Sequence, residues 1–507
     1  MSKTLRSTTT FEDIDLSDNK LGAEHKECTR DVEQLDTLID PEEEKEIVRA
    51  LDRRMLPLFC VFYFTDFLDR ANIGNAKLGG IQEDLKLTAS QLSTVISAFY
   101  ITYILFEIPS NIVLKRTSAT IWLSSIMLVW GVITLAMGFI KSFEGLLAAR
   151  LLLGAAESGY IPGILYQMSR VYKPTELSCR IGFLLCMSFL SGIVSGPIAY
   201  GTSFLEGRNN LYGWQYLFIL EGVPTIVLSI VSFFFLFDNI DQVSWLTSEQ
   251  KRLQHARMKA SQSSSGSQHK DAGEKITWRT FAIVVSDWKT YCFASVYFLH
   301  VVNFYSFSIF SPALIDGFGF PVLTSQLLSA PPNLISAALV LLGGYVADRY
   351  NKRSYIMLCG FSTMAIGYLL LLILHNRWGL YGAMFIIPIG MSLQSSAVVG
   401  WSPINYYDLN VRAVAVAAIV MIGNSGGVVA SYLFPSTDAP HYVFGNAFNL
   451  GCAAFGAVMA AVTGFLLRKE NRRLDKLSQT KYANSFADPS QEEVSRLILV
   501  WRIFPVH

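Results

Sequence analysis

The chain has 507 residues, of which 51% are hydrophobic and only 16% charged, with a formal net charge of +1. Soluble domains carry about 25% charged residues, so this deficit, with a mean hydropathy of +0.37, says that much of the surface does not face water. The near-zero net charge excludes bulk electrostatic attraction to nucleic acid.

Seven cysteines (Cys28, Cys60, Cys179, Cys186, Cys292, Cys359, Cys452) are scattered without a CxxC pair. A disulfide framework or a metal site is not expected, and the cysteines read as small buried hydrophobes. Nothing in the pattern calls for a cofactor. An enzyme is not expected either, because no nucleophile–base or metal-ligand set is visible. Residues 1–54 form a polar tail ending in Pro41-Glu-Glu-Glu-Lys-Glu. They lack the apolar core and cleavage site of a signal peptide, so the first apolar segment is expected to remain as a membrane anchor.

A spanning helix needs about 20 mostly apolar residues. Twelve segments qualify, starting near Met55, Leu92, Ile121, Phe143, Ile181 and Trp214, then Tyr291, Thr324, Tyr355, Leu380, Val411 and Asn446. The expectation is an all-α membrane protein of twelve transmembrane helices in two six-helix bundles, residues 55–237 and 290–467. Between them lies a polar segment, 238–289, containing the linker-like Ser261-Gln-Ser-Ser-Ser-Gly-Ser-Gln. A tail, 468–507, follows; its apolar end, Arg496-Leu-Ile-Leu-Val-Trp-Arg-Ile-Phe, has no reading beyond a surface-lying segment.

Lys and Arg gather on the cytoplasmic side of a membrane protein. One set of loops carries Arg53, Arg54, Lys115, Arg116, Arg170, Lys173, Arg180, Arg349, Lys352, Arg353, Arg412, Arg468, Lys469, Arg472 and Arg473. The other set carries only Lys77, Lys86, Lys141, Arg208 and Arg377. Both termini and the central segment are therefore expected in the cytosol. The basic loops after spans two and eight, Leu114-Lys115-Arg116 and Ala347-Asp348-Arg349, are offset by roughly 235 residues, as are spans one and seven. Two parallel repeats around a midplane site are a transporter plan.

Ionisable groups inside spans cost about 2.5–3.5 kcal/mol each on insertion scales, so they face the bundle interior and mark function. Here they concentrate in the first half: Asp66, Asp69 and Arg70 in span one, Glu107 in span two, Arg150 and Glu157 in span four, Glu221 in span six. The second half offers His300 in span seven. Arg150 and Glu157 stand two turns apart on one face. Two guanidiniums at comparable depth suit a bidentately bound anion. Carboxyls beside them suit proton coupling, since desolvation favours the neutral acid and a neighbouring Arg the charged one. A structural ion-pair network of Asp69, Arg150 and Glu157 is the competing reading. Glu107 and Glu221 lean towards inter-helix tethers. In the second half, Gln394, Trp401, Asn405 and Tyr406 cluster in span ten and Asn424 sits beside Gly423, Gly426 and Gly427 in span eleven. These fit either a pocket wall or glycine-mediated packing.

The run Asp66-Phe-Leu-Asp69-Arg70-Ala-Asn72-Ile-Gly74-Asn75 resembles the first span of major facilitator superfamily carriers of the anion:cation symporter family. So do Glu107-Ile-Pro109-Ser-Asn111, Trp130-Gly131, Arg150-Leu-Leu-Leu-Gly154-Ala-Ala-Glu157, Trp214 to Gly222 and Gly344-Tyr-Val-Ala-Asp348-Arg349. The resemblance covers roughly residues 45–470. It is nearest the fungal allantoate and vitamin permeases, whose substrates include nicotinate, pantothenate and biotin. It implies proton coupling by Asp69 and Glu157 and substrate-carboxylate binding by Arg70 and Arg150. Trp401, Asn405, Asn424 and His300 are the further substrate-binding candidates. Gating or structural roles fall to Glu107, Glu221, Asp348 and Arg349. The first-half loop motif is degraded to Asn111-Ile-Val-Leu-Lys115-Arg116, so gating by an acid there is not implied. The expected activity is proton-coupled import of a small organic anion by a monomeric carrier in the lipid bilayer of the plasma membrane, an internal membrane remaining open. A transporter-like nutrient sensor and an uncoupled facilitator of a neutral solute are the alternatives. Tails of about 50 and 40 residues speak against the sensor, and the intramembrane charges against the facilitator.

Overall fold

The computed structural model describes residues 41–264, 278–350, 352–406 and 409–487. The apolar C-terminal stretch, part of the central linker and the side chain of Asp348 lie outside the described residues.

The described residues are helical, with no strand among them. In chain order the helices are α1 (Pro41–Arg54), α2 (Leu56–Leu78), α3 (Ala89–Arg116), α4 (Ala119–Met137), α5 (Phe143–Glu157), α6 (Tyr160–Ser169), α7 (Pro174–Ser203), α8 (Gly213–Phe235) and α9 (Ser248–Ser264). They continue as α10 (Trp278–Ser286), α11 (Trp288–Gly317), α12 (Val322–Leu328), α13 (Ala330–Tyr350), α14 (Arg353–Ile373), α15 (Arg377–Trp401), α16 (Leu409–Asn424), α17 (Gly426–Ala430) and α18 (Val443–Ala487). Starts are set by local chemistry. Pro57 occupies the first turn of α2, where its missing N–H costs nothing. Thr88 and Gln91 form a reciprocal capping box at α3. Ser118 and Ser142 cap α4 and α5 by accepting from Ile121 and Gly145 N–H.

Nine helical segments among the described residues are long and apolar enough to cross a membrane. The three expected spans outside that set are α2, α5–α6 and α15. Two of them carry buried charges: α2 holds Asp66, Asp69 and Arg70, and α5–α6, with Arg150 and Glu157, is interrupted at Ser158–Gly159. The molecule is apolar outward and polar inward. Phe234 is 81% exposed and Leu105 63%, whereas Asp66 and Glu157 are fully buried. That inversion is what lipid demands, since unpaired polar groups cannot face hydrocarbon.

Contacts divide the chain into two compact units. The smaller draws its described residues from Met1–Arg54, Val171–Lys173 and Asn239–Lys275. In it, Ile47 and Leu51 of α1 are fully buried, Glu44 pairs with Lys173 at 2.5 Å and Arg257 at 3.6 Å, and Gln254 donates to the Val171 carbonyl at 2.8 Å. The larger, Met55–Arg170, Pro174–Asp238 and Ile276–His507, contains both expected bundles. Within it the first-half helices pack among themselves, as do the second-half helices. The halves meet where α7 faces α13, α2 faces α11 and α3 faces α17. Exchanging span five with eleven and eight with two maps the first pair onto the third, as a two-fold repeat requires.

Glycine sets the closest approaches around the charged residues. A Cβ on Gly74 would lie 1.9 Å from the Ile309 carbonyl oxygen of α11, and one on Gly154 would lie 2.2 Å from the Phe99 carbonyl oxygen of α3. Only glycine permits α2 and α5 to press their polar faces inward this far.

Candidate functional site

The charged residues of α2, α5 and α8 converge in the larger unit. Arg70 is the hub. Its Nη2 donates to Asp66, one turn back, at 3.0 Å. Its Nε donates to Glu157 Oε2 of α5 at 3.2 Å, and its Nη1 donates to the Tyr305 hydroxyl of α11 at 3.1 Å. The rings of Tyr103, Phe67 and Phe99 flank the guanidinium, with Cζ 4.8, 5.1 and 5.6 Å from their centroids. A buried guanidinium is tolerable on such terms, because carboxylates, a hydroxyl and ring faces replace its hydration.

Asp69 is differently engaged. It accepts from the Trp130 indole N–H and faces the Glu221 carboxyl of α8. Asp69 adjoins Arg70 in sequence, yet its bond is to Trp130 and the guanidinium's is to Asp66. Consecutive helical residues point about 100° apart, whereas residues four apart share a face, so Asp66 takes the guanidinium.

Arg150 is 2% exposed, and its Nε and Nη2 have no hydrogen-bond partner among the described residues. Glu157, Tyr100, Asp69 and Glu221 surround it electrostatically. Four carboxyls thus share the site with two guanidiniums, of which one is bonded to them and the other is not.

Beside this cluster is a cavity of about 70 Å³ between the halves. Tyr63 and Phe67 line it from α2, Ser188 from α7, and His300, Phe304 and Tyr305 from α11; Ser395 and Asn424 close it from α15 and α16. Tyr305 stands both on the cavity wall and on Arg70, and so joins the cavity to the charges. His300 Nδ1 lies 2.8 Å from Gln394 Oε1, which fixes the ring. At one end the halves are tied together. Lys77 donates to the Phe434 carbonyl at 3.1 Å, Ser436 to Gln82 Oε1 at 2.7 Å, and Ser97 meets Tyr432 at 3.1 Å.

Residues 59–431 match the Major Facilitator Superfamily. The chain belongs to that superfamily. An uncharacterized transporter of Schizosaccharomyces pombe is 31% identical over 443 residues, covering 87% of each chain. The major facilitator-type transporter hxnP of Emericella nidulans is 31% identical over 445 residues, 86% of this chain and 88% of its own. Among solved structures, the partially occluded inward-open xylose transporter XylE of E. coli covers 81% of this chain and 97% of its own at a TM-score of 0.63 and 13% identity. An inward-facing, occupied bacterial homologue of the human lysosomal transporter Spinster covers 81% and 95% at a TM-score of 0.59 and 16% identity. At such identities the last two speak for the fold alone. The protein is thus an integral membrane transporter of the major facilitator fold.

Within that fold, the structure brings Asp69, Arg70, Arg150, Glu157 and Glu221 into one cluster, and His300 and Asn424 onto the neighbouring cavity. Glu107, buried in α3, approaches the Asn424 amide across the interface between halves. Trp401 and Asn405 are absent from the cavity lining. Trp401 packs edge-on against Phe293 at 5.2 Å, and Asn405 donates to the Trp401 carbonyl at 2.7 Å. Arg349 is exposed at the end of α13. Sequence reasoning singled out neither Tyr305 nor Tyr63, Phe67 and Phe304. A tyrosine in an apolar span carries no charge signal, and only the crossing of α2 and α11 shows what its hydroxyl meets. Asp66 was visible as an intramembrane acid, without a sign that it rather than Asp69 would hold Arg70.

Proposed function

We propose that the protein is a proton-coupled importer of small organic anions, a carrier of the anion:cation symporter family in the fungal allantoate and vitamin permease branch, working by alternating access as a monomer in the plasma membrane. In this reading its bundles are residues 55–237 and 290–467, with 1–54, 238–289 and 468–507 in the cytosol.

One observation carries the reading: Arg150 is a buried guanidinium with two nitrogens unbonded among the described residues, in the cluster that Arg70 and Tyr305 join to the cavity. A desolvated, incompletely bonded cation is a strong receptor for a carboxylate, which offers the fork-shaped geometry that guanidinium matches. Arg70 supplies the coupling. It is bonded to Glu157 and Asp66, so a substrate carboxylate competes with them for the same N–H groups. A proton arriving on Glu157 removes its charge and frees Arg70 for substrate. Proton and anion then occupy the site together, and release of the anion and then of the proton to the cytosol restores the ion pair. The excess of carboxyls over guanidiniums provides the places where such protons sit. The aromatic second-half wall favours a substrate with a flat or apolar body.

The test is uptake of labelled monocarboxylates by cells expressing the chain, at two external pH values. Accumulation that rises as external pH falls and collapses with a protonophore is expected. Uptake indifferent to pH would replace coupling with facilitation. Orientation is checked separately: a cysteine placed at Ser263 in an otherwise cysteine-free chain is expected to react with an impermeant maleimide only after permeabilisation.

A further inference from the structure

The smaller unit holds a concave site of its own. A cavity of about 470 Å³ is lined by Arg49, Ala50, Arg53, Arg54 and Trp245, a volume in the range of small-molecule sites. Its construction follows from α1. Ile47 and Leu51 bury one face of the helix. Arg49 and Arg53, four residues apart, stand together on another. Between them Ala50 offers only a methyl group, which leaves room above the backbone. Trp245 forms the facing wall, and the Arg54 guanidinium stacks on its indole at 5.2 Å.

The charges here are not spoken for. Arg49, Arg53 and Arg54 make no ion pair among the described residues, and all three are exposed. None of the five acids of α1 lines the cavity; of these, Glu44 serves Lys173 and Arg257, and Glu42 binds Lys45 at 2.7 Å. Three guanidiniums converging on one cavity without a carboxylate make a receptor for more than one negative charge. That the lining cations are all Arg favours planar, bidentate anions such as phosphate over a diffuse lysine-type attraction. Arg54 lies two residues before the start of α2. The orientation proposed above therefore puts Arg54 on the cytosolic side of the first span, the side where anionic headgroups are concentrated.

We propose that the Arg49–Arg53–Arg54–Trp245 cavity binds a multiply phosphorylated headgroup, whether carried by a lipid of the cytosolic leaflet or by a soluble inositol-type phosphate. Arg49 and Arg53 clamp one phosphate from both sides, and Arg54, held on Trp245, takes a second.

The test uses the full-length protein in detergent and calorimetric titration with four probes: short-chain phosphatidylinositol bisphosphate, free inositol trisphosphate, inorganic phosphate and short-chain phosphatidylcholine. The bisphosphate lipid is expected to bind and phosphatidylcholine not. Arg49→Ala with Arg53→Ala should weaken binding by about a hundred-fold, as loss of two charge-assisted contacts implies. Arg49→Lys with Arg53→Lys keeps charge and fold while losing the fork, and should weaken it by about ten-fold. Comparable affinity for free inositol trisphosphate assigns the site to a soluble phosphate, and a clear preference for the lipid assigns it to the membrane; either supports the proposal. Absence of binding above phosphatidylcholine, or binding unchanged in the lysine variant, overturns it.

Discussion

The two halves of the larger unit meet beside one cavity with different chemistry. From the first half come four buried carboxyls and two buried guanidiniums, gathered by α2, α5 and α8. From the second come aromatic rings, a histidine held by Gln394, and the amide of Asn424. In a fold built by repetition, the halves differ: the first carries the buried charge cluster and gives the cavity Tyr63 and Phe67, and the second supplies the rest of the aromatic wall. Among the described residues, Tyr305 is the hydroxyl through which the second half touches the charge network at Arg70.

The division of labour breaks most visibly at the arginines. Arg150→Met keeps most of the volume and removes the charge. Uptake is expected to vanish while thermal unfolding in detergent stays close to the parent's, because the lost N–H groups at Nε and Nη2 have no hydrogen-bond partner among the described residues. Arg70→Met should abolish uptake too, but with a stability loss of about 3–5 kcal/mol, since Asp66 and Glu157 are left buried and unpaired. Equal stability losses for the two would erase the distinction between a receptor cation and a structural one. Lysine at either position should restore little transport.

The next effect concerns coupling. Glu157→Gln mimics the protonated acid and no longer competes for Arg70. Such a carrier is expected to exchange substrate across the membrane at near-normal rates while losing accumulation against a gradient. Counterflow measured beside net uptake separates these. If accumulation persisted with unchanged pH dependence, Glu157 would be structural, and Asp69, with its Trp130 bond, would become the coupling residue.

Smaller changes are expected at the junction and in the second half. Tyr305→Phe removes one hydrogen bond to a charged group, about 1.5 kcal/mol, and so should raise KM about ten-fold with kcat altered less. Phe304→Ala should change which substrates are preferred and leave the pH profile intact, because it touches shape and not charge. A pH profile moved by Phe304→Ala would show that the halves are not chemically separate. Smallest of all, Trp401→Phe and Asn405→Ala should leave KM within about two-fold, since neither residue lines the cavity and truncating one neutral hydrogen bond costs only about 1 kcal/mol.

The sequence by itself determined the fold class, the places where spans begin and which half is charged. These are one-dimensional properties. Lipid requires apolar runs of fixed length, so α3 starts at Ala89 and α14 at Arg353, close to the expected Leu92 and Tyr355. A charge inside such a run stands out because it is costly there. Tertiary structure alone decided the pairings. Helix phase gave Arg70 to Asp66 and turned Asp69 towards Trp130, and the crossing of α2 with α11 at Gly74 brought a tyrosine 235 residues away onto the guanidinium. Trp401 and Asn405 read as site residues because polar groups in a span are conspicuous. Their place at the end of α15 is set by packing against Phe293, which no local pattern encodes. The arginine cavity of the smaller unit was likewise invisible: Trp245 lies nearly 200 residues from Arg53 in the chain, and only the fold closes that distance.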